Sequence, residues 1–557
     1  MNKTKKNKLR FIILSAALVC CLGVFYAFKA QDRNFLISKN FDIFHSLFRD
    51  LNLFYVDSVD VDQAFSNAID GLLSSYDPYT SYIPESQMSE LKYMTTGEYG
   101  GIGAVISKRG EAIIVAEPYE NMPAQEAGLL FGDELVEIDG ISMEGKTVSF
   151  ASDCLKGQPN TSVELLIKRE GEKKLIKKTL QRKLIQMNPV EYAGLLRPGV
   201  GYVYLSSFTD KSYQELRQTL INLNKQGAQS LILDLRDNGG GLLSEAVSIC
   251  NLFVDKGEVI VTTKGKAPQW DKTYRTLMEP LFEDMPVVVL TNTLSASSSE
   301  IVAGALQDLD RAVILGSRTF GKGLVQTTRE LAYNGVLKVT TAKYYIPSGR
   351  CIQAVNYANG RSGRLPDSLT TQFSTRNGRP VRDGGGISPD VSCVQKEYSD
   401  FCWQLVNNLY FFDFANDYYR KHPKITSVEN FKLSEQDFND FKNHIRNSDF
   451  RYELHSKSKL NELKKTLESE GYWEDVSDDF KSLESKLVHD LDKDLETFRP
   501  DIERILSLEI IRRYYYQKGE IQESLKTDEC VSKALGLLMN RESYEAILQA
   551  SKQQAAL

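Results

Sequence analysis

The stretch from Pro189 to Ser317 constrains this chain more than any other, because short apolar strands alternate there with segments of helical periodicity. The succession reads GVGYVYLSSF, helix SYQELRQTLINLN, strand SLILDLR, helix LLSEAVSICNLF, strands EVIVTT and PVVVLTN, helix SEIVAGALQDL and strand AVILGS. Alternation at this spacing predicts an α/β domain with crossover connections and buried, mainly parallel strands. Catalytic groups of such sheets gather where strands end and loops begin. The polar, Gly- and Arg-rich run from Asn356 to Gly386 reads as a long surface loop closing this domain, which spans 186–398.

The full 557 residues leave room for further domains of about 150 residues each. Residues 32–94 carry apolar side chains at helical spacing, as in FDIFHSLFRDLNLFYV and DQAFSNAIDGLLSSY, with Asp77-Pro78 marking a turn. Between 95 and 185, Gly-rich EYGGIGAVIS, strand AIIVAEPY, a short helix ending at Gly128, an Asp139-Gly140 turn and strand VELLIKRE predict a compact module of short strands. After residue 399 the composition shifts: residues 401–557 contain only three glycines and two prolines, which predicts a helical domain over 399–557. LSEQDFNDFKNHI opens on a capping box, and Pro500 and Gly519 bracket another helix as its start and its C-cap.

The first thirty residues differ from the rest. A basic segment, 1–10, with Lys3, Lys5, Lys6, Lys8 and Arg10, precedes the uncharged run 11–28. That length reaches the lower bound of a bilayer span, and no small-x-small cleavage site follows, so an uncleaved inner-membrane anchor is expected, with a cleaved signal peptide as the alternative. The basic flank then stays cytoplasmic and everything after Lys29 is periplasmic or extracytoplasmic. Cys21 sits in a poor lipoprotein signal. The six later cysteines form no C-x-x-C pair; an oxidising compartment allows disulfides, several lie in apolar segments that favour buried free thiols, and the spacing leaves the pairing open. A net charge of -6 without a basic stripe argues against a nucleic-acid partner.

All five histidines, at 45, 422, 444, 455 and 489, fall outside 46–421, so the α/β region lacks the base of a Ser-His-Asp triad and the usual zinc ligands. Three segments in it stand out: LDLRDNGGGLL, TNTLSASSSEIVAGAL and GSRTFGKGLVQ. Singly, these read as a turn, a capped helix start and a solvated lysine. Gly316 and Gly321-Lys322 also match the spacing of a phosphate-binding loop, but Gly323 stands where Ser or Thr would hold magnesium, and β-branched residues follow. Together the three segments supply the parts of acyl transfer: a serine at a strand-to-helix turn, a glycine run offering N–H donors, and a lysine. A Ser-Lys dyad works without histidine provided burial neutralises the amine, since lowering its pKa from 10.4 to about 7–8 costs about 4 kcal/mol.

These motifs resemble the carboxyl-terminal processing peptidases, or tail-specific serine proteases, over roughly residues 35–395: TSYIP after Asp77-Pro78, EYGGIGAVI, PAQEAGLLFGDELVEIDG, LDLRDNGGGLL, LSASSSEIVAGALQD, GSRTFGKGLVQ, LKVTTAKYYIPSGRCIQ and GISPD, in the family's order. The resemblance implies an α/β core with the crotonase/ClpP-like tail-specific protease fold, an inserted PDZ domain, an N-terminal helical region and a C-terminal helical domain. It implies Ser297 as nucleophile and Lys322 as general base, 25 residues apart, with Gln326 four residues on orienting the lysine. Backbone N–H groups of Gly240 and Ser298 are the implied oxyanion hole, and those of Gly101, Ile102 and Gly103 the cradle for a substrate's C-terminal carboxylate. No metal or nucleotide cofactor is implied, and the partners are proteins with accessible C-terminal tails.

Two residues depart from the family pattern. Asn238-Gly239-Gly240-Gly241 replaces the usual Asn-Pro-Gly-Gly, leaving Gly239 as an alternative to Gly240, and Tyr79 replaces a common histidine. The region after residue 400 lies outside the resemblance and is open to roles as a dimerisation surface, a substrate gate or an adaptor platform. The expectation is therefore a serine endopeptidase cleaving near the C-termini of envelope proteins. Its rivals are an idle PDZ scaffold and, because the core is similar to crotonases, an acyl-CoA enzyme.

Overall fold

The computed structural model of the protein describes residues 33–357, 363–452, 455–487 and 490–554, divided into a unit that ends at Tyr82 and one that begins at Ile83. The segments 1–10 and 11–28 read as basic flank and anchor lie outside the described residues, and among those described no helix is long and apolar enough to cross a membrane. In the first unit, helices 33–54 and Val61–Ser74 meet through Phe44, Phe48 and Phe65. Asp60 caps the second by accepting from Gln63 N at 3.0 Å. The predicted turn follows, its Asp77 carboxylate accepting from the N–H groups of Tyr79 and Thr80 at 2.8 Å.

In the second unit the helix Met88–Thr96 ends on left-handed Gly97 and feeds the strand Glu98–Gly101. That strand pairs with Lys183–Gln186, so the chain enters and leaves the next module side by side. The module is an antiparallel sheet in the order Ala104–Arg109, Ala112–Pro118, Glu134–Ile138, Ser162–Lys168, Ile176–Gln181, with helices Pro123–Glu126 and Val148–Leu155. Its core is built by period-2 alternation: Val163, Leu165 and Ile167 are buried while Ser162, Glu164 and Lys168 are exposed.

Beyond it stands a six-stranded sheet in the order Val190–Arg197, Val200–Leu205, Ser230–Asp234, Val287–Thr291, Val313–Gly316, Val391–Ser392; the first pair is antiparallel and the others parallel. Alternate residues serve two cores. Val203, Leu231, Leu233, Val287, Val289 and Ile314 pack under helices Ser212–Lys225, Leu243–Cys250 and Ser298–Asp308. Tyr202, Ile232, Val288, Leu290 and Leu315 face the opposite way, against Val531, Ala534 and Tyr544 of the helices Glu529–Met539 and Arg541–Gln554. Coverage of both faces explains why these strands read as unbroken apolar runs.

Several sequence expectations need correction. The strand Val259–Gly265 belongs to a separate antiparallel sheet with Lys272–Arg275, Val336–Tyr345 and Leu324–Glu330, so the alternation is interrupted by an excursion rather than continued. The stretch 356–386 is no plain surface loop: Gln372–Ser374 pairs with Pro380–Arg382, and Arg379 is buried between Asp310 and Asp390. Gly519 does not cap its helix, which runs from Arg499 to Ser524 with non-helical dihedrals at Tyr516, because tertiary contacts hold the chain on course past the glycine. Cys393 and Cys530 are joined by a disulfide with Cα atoms 5.7 Å apart, whereas Cys154, Cys250, Cys351 and Cys402 are free thiols. Packing is continuous across residue 399, since the last two helices complete the sheet's second face. The capping box at Ser434 does form, Asp437 N donating to Ser434 Oγ at 3.2 Å and Ser434 N to Asp437 Oδ2 at 2.8 Å.

Candidate active site

Ser297 precedes the helix Ser298–Asp308 with a positive φ of 56° and ψ -113°, outside the ordinary regions of the backbone map, a conformation a serine adopts only under tertiary constraint. The constraint is visible. Glu300, wholly buried in the helix's first turn, collects four donors: Ser297 N at 2.9 Å and Lys322 N at 2.8 Å on Oε2, Thr319 Oγ1 at 2.5 Å and Gly321 N at 2.7 Å on Oε1. Burial pushes its pKa up to about 7, and these four hydrogen bonds oppose the rise. One carboxylate thus ties the serine's backbone to the lysine's across 25 residues of chain. Tyr344 ties the same two residues from the other side, its buried hydroxyl donating to the carbonyls of Ser297, at 3.2 Å, and Lys322.

Lys322 leads into the strand Leu324–Glu330 rather than a helix, as the rejected phosphate-loop reading requires. Its loop is seated by glycines: a Cβ on Gly321, at φ 88°, would stand 2.4 Å from Ala354 Cβ. Gln326 lies on that strand, and its Nε2 donates to Thr340 Oγ1, its registered neighbour across the sheet, at 3.2 Å.

The glycine turn closes the third side. Asn238 is fully buried; its carbonyl accepts from Ala296 N at 3.0 Å and Ser299 Oγ at 2.8 Å, and its Nδ2 donates to Leu205 O at 2.7 Å. Gly240, at φ 98°, touches the serine segment so closely that a Cβ would lie 2.7 Å from Ala296 O, 2.8 Å from Ser297 Cβ and 2.9 Å from Ser298 N. In this conformation the Gly240 N–H donates to Asn238 Oδ1 at 2.9 Å, so this implied oxyanion donor is engaged within its own turn. Ser298 N occupies the first helical position, where no intrahelical acceptor exists. Gly240, Ser297, Ser298, Lys322 and Gln326 all line one cavity of about 760 Å³.

The residues Gly101, Ile102 and Gly103 line a second cavity, about 380 Å³, with Ala104 and Ile106 of an edge strand and Ser152, Leu155 and Lys156 near the helix Val148–Leu155. Ile102 O accepts from Ala124 N at 2.8 Å and Gly103 O from Tyr119 N at 2.9 Å, which fixes the loop. The sequence reading missed Glu300 as more than a cap and passed over Tyr344; only the order of the motifs hinted that their segments converge.

A strained serine at a helix start, a glycine turn and a lysine without histidine are the parts of a serine-type acyl-transfer enzyme. Comparison with known proteins narrows that class. The model of peptidase family S41 matches residues 199–360, a PDZ domain model matches 114–169, and that of a probable PDZ-protease C-terminal helical domain matches 401–538. A carboxy-terminal-processing protease of Bartonella bacilliformis is 37% identical over 333 residues, covering 59% of this chain and 74% of that one. A probable CtpA-like serine protease of Staphylococcus aureus is 34% identical over 343 residues, covering 61% and 68%. Among solved structures, the photosystem II D1 C-terminal processing protease is 28% identical, covering 63% of this chain and 92% of that one with a TM-score of 0.35. The chain belongs to the carboxy-terminal-processing serine proteases of peptidase family S41, and it carries their PDZ and C-terminal helical domains. The scaffold and acyl-CoA readings fall with that result.

Proposed function

We propose that the protein is an endopeptidase cleaving near the C-termini of envelope proteins through an acyl-enzyme on Ser297. Lys322, in its neutral form, takes the Ser297 proton as the hydroxyl attacks the scissile carbonyl and returns it to the leaving amine. Ser298 N and a glycine-turn N–H stabilise the oxyanion; Gly240 serves once its N–H turns from Asn238 Oδ1 to the substrate, with Gly239 as the alternative. Gln326 steadies the amine from the neighbouring strand. The observation that carries this reading is the double tie of Ser297 to Lys322 through Glu300 and Tyr344, on one cavity wall.

The substrate's tail adds to the exposed edge of Ala104–Arg109, with its carboxylate at Gly101–Gly103. The catalytic part works outside the cytoplasm, anchored by residues 11–28. The disulfide between Cys393 and Cys530 supports this, since such bonds persist in oxidising compartments.

The decisive experiment is cleavage of a tailed reporter across pH. Wild type is expected to show an acid limb set by the lysine, Ser297→Ala to be inactive, and Lys322→Ala to lose both rate and acid limb. Cleavage by Ser297→Ala at the wild-type rate ends the proposal.

A further inference from the structure

The strand Ser230–Asp234 delivers the glycine turn, and the residue between them with the strongest anchorage is Arg236. Its Nε donates to both Asp234 oxygens at 2.9 and 3.0 Å, its Nη2 to Asp234 Oδ2 at 2.5 Å, and Tyr202 Oη adds a bond to the same oxygen at 2.7 Å. The remaining arm, Nη1, leaves the α/β core altogether and pairs with Asp528 Oδ2 at 2.7 Å. Asp528 is 8% exposed and does two things at once: its other oxygen accepts from Cys530 N at 2.8 Å and Val531 N at 2.9 Å, capping the helix Glu529–Met539. That helix is fixed to the sheet by the disulfide from Cys530 to Cys393, whose N–H in turn donates to Gly316 O at 2.8 Å. The guanidinium is therefore held between a core carboxylate and one more than 290 positions later in the chain. Burial alone would push Arg236 down, but Asp234 and Asp528 hold it well above the ordinary guanidinium range.

We propose that Asp528 is a positioning residue for the catalytic step: by fixing the far arm of Arg236 it sets the glycine turn against Ser297. The mechanical path is short. Arg236 stands two residues before Asn238, whose carbonyl holds Ala296 N and Ser299 Oγ and whose side chain holds Gly240 N. A turn released at Arg236 shifts Asn238, and with it the Gly240 N–H that has to turn from Asn238 Oδ1 to the oxyanion, while leaving the PDZ groove untouched. The inference rests on Ser297 as nucleophile and on the glycine turn as oxyanion donor.

The test uses Asp528→Asn in the full chain, because asparagine caps a helix as well as aspartate and removes only the charge facing Arg236. Active sites are counted with a fluorophosphonate probe, so unfolded molecules drop out of the rate. A displaced oxyanion donor is expected to lower kcat on a tailed reporter by about tenfold to hundredfold, with KM within about twofold, and to slow phosphonylation in parallel. Asp528→Glu, which restores the charge, is expected to recover part of the rate. Wild-type kcat per active site in Asp528→Asn overturns the proposal, and so does a change confined to KM. Ser297→Ala separates the two layers: if it still cleaves, the nucleophile reading has failed; if it is dead while Asp528→Asn is unimpaired, only this inference has.

Discussion

The cavity around Ser297 and Lys322 and the seat of the PDZ module are assembled by opposite means. Around Ser297 and Lys322 the ties run to backbone: buried Glu300 holds two N–H groups and buried Tyr344 two carbonyls of the same residue pair. Where the PDZ module meets the C-terminal helices, long charged side chains make the contact. Arg512 pairs with Glu117, Arg109 with Asp413 and Arg420 with Glu170, while Tyr516 accepts from Gln125 Nε2 at 2.8 Å. Ties to backbone through buried Glu300 and Tyr344 fix geometry closely; the half-exposed pairs of Arg109 and Arg420 set position loosely and yield to salt, while Arg512 holds the buried Glu117. The first arrangement holds one geometry, and the second leaves the PDZ module room to shift.

The contrast is broken most severely at Glu300. Glutamine there keeps the shape but turns an amide NH₂ toward at least two donors that the carboxylate satisfied, so Glu300→Gln is expected to reduce kcat by about 100- to 1000-fold in single-turnover cleavage. Retention of activity within about tenfold would dismiss the backbone-tie account. Gly240→Ala comes next, because its Cβ has no room against Ala296 O and Ser298 N at φ 98°; about a 100-fold loss of kcat is expected, measured with the melting temperature unchanged within a few degrees.

The looser seat predicts smaller and differently distributed effects. Arg512→Ala strands the buried Glu117 and is expected to raise KM for a tailed reporter about fivefold, with kcat for an untailed peptide nearly constant. Equal changes in both substrates would show that the seat governs chemistry too. The smallest effect concerns Glu520, whose pKa burial raises from 4.5 to about 7 despite Arg512. Between those values the native state holds more protons than the unfolded chain, so stability is fullest below pH 4.5 and falls as pH climbs through about 7. Glu520→Gln is expected to remove a slope of at most about 1.4 kcal/mol per pH unit, read from melting temperatures at pH 5 to 8.

Much of this architecture was legible because it is written locally. Period-2 burial in Val163–Ile167, the apolar runs Leu231–Leu233 and Val287–Leu290, and the Ser434 capping box each follow from a few adjacent residues. The serine, the lysine and the glycine turn were readable as motifs, since their chemistry demands particular residue types. What stayed hidden depends on contacts between distant positions. Glu300 looks like an ordinary third-residue cap until Thr319, Gly321 and Lys322 arrive on its free oxygens, and Gln326 is spoken for by Thr340 only once the strands pair. The bond between Cys393 and Cys530 spans 137 positions, beyond the reach of any spacing rule. Gly519 misled because propensity yields to packing in a helix buried along Ile502, Leu506 and Ile510.

The covering of Tyr202, Ile232, Val288 and Leu290 by residues as late as Tyr544 has a temporal meaning. Tyr544 leaves the ribosome long after Leu290, so until then the nascent sheet presents one bare, oily side. The sheet behind Ser297 is thereby closed only after the segment that carries the serine has been synthesised.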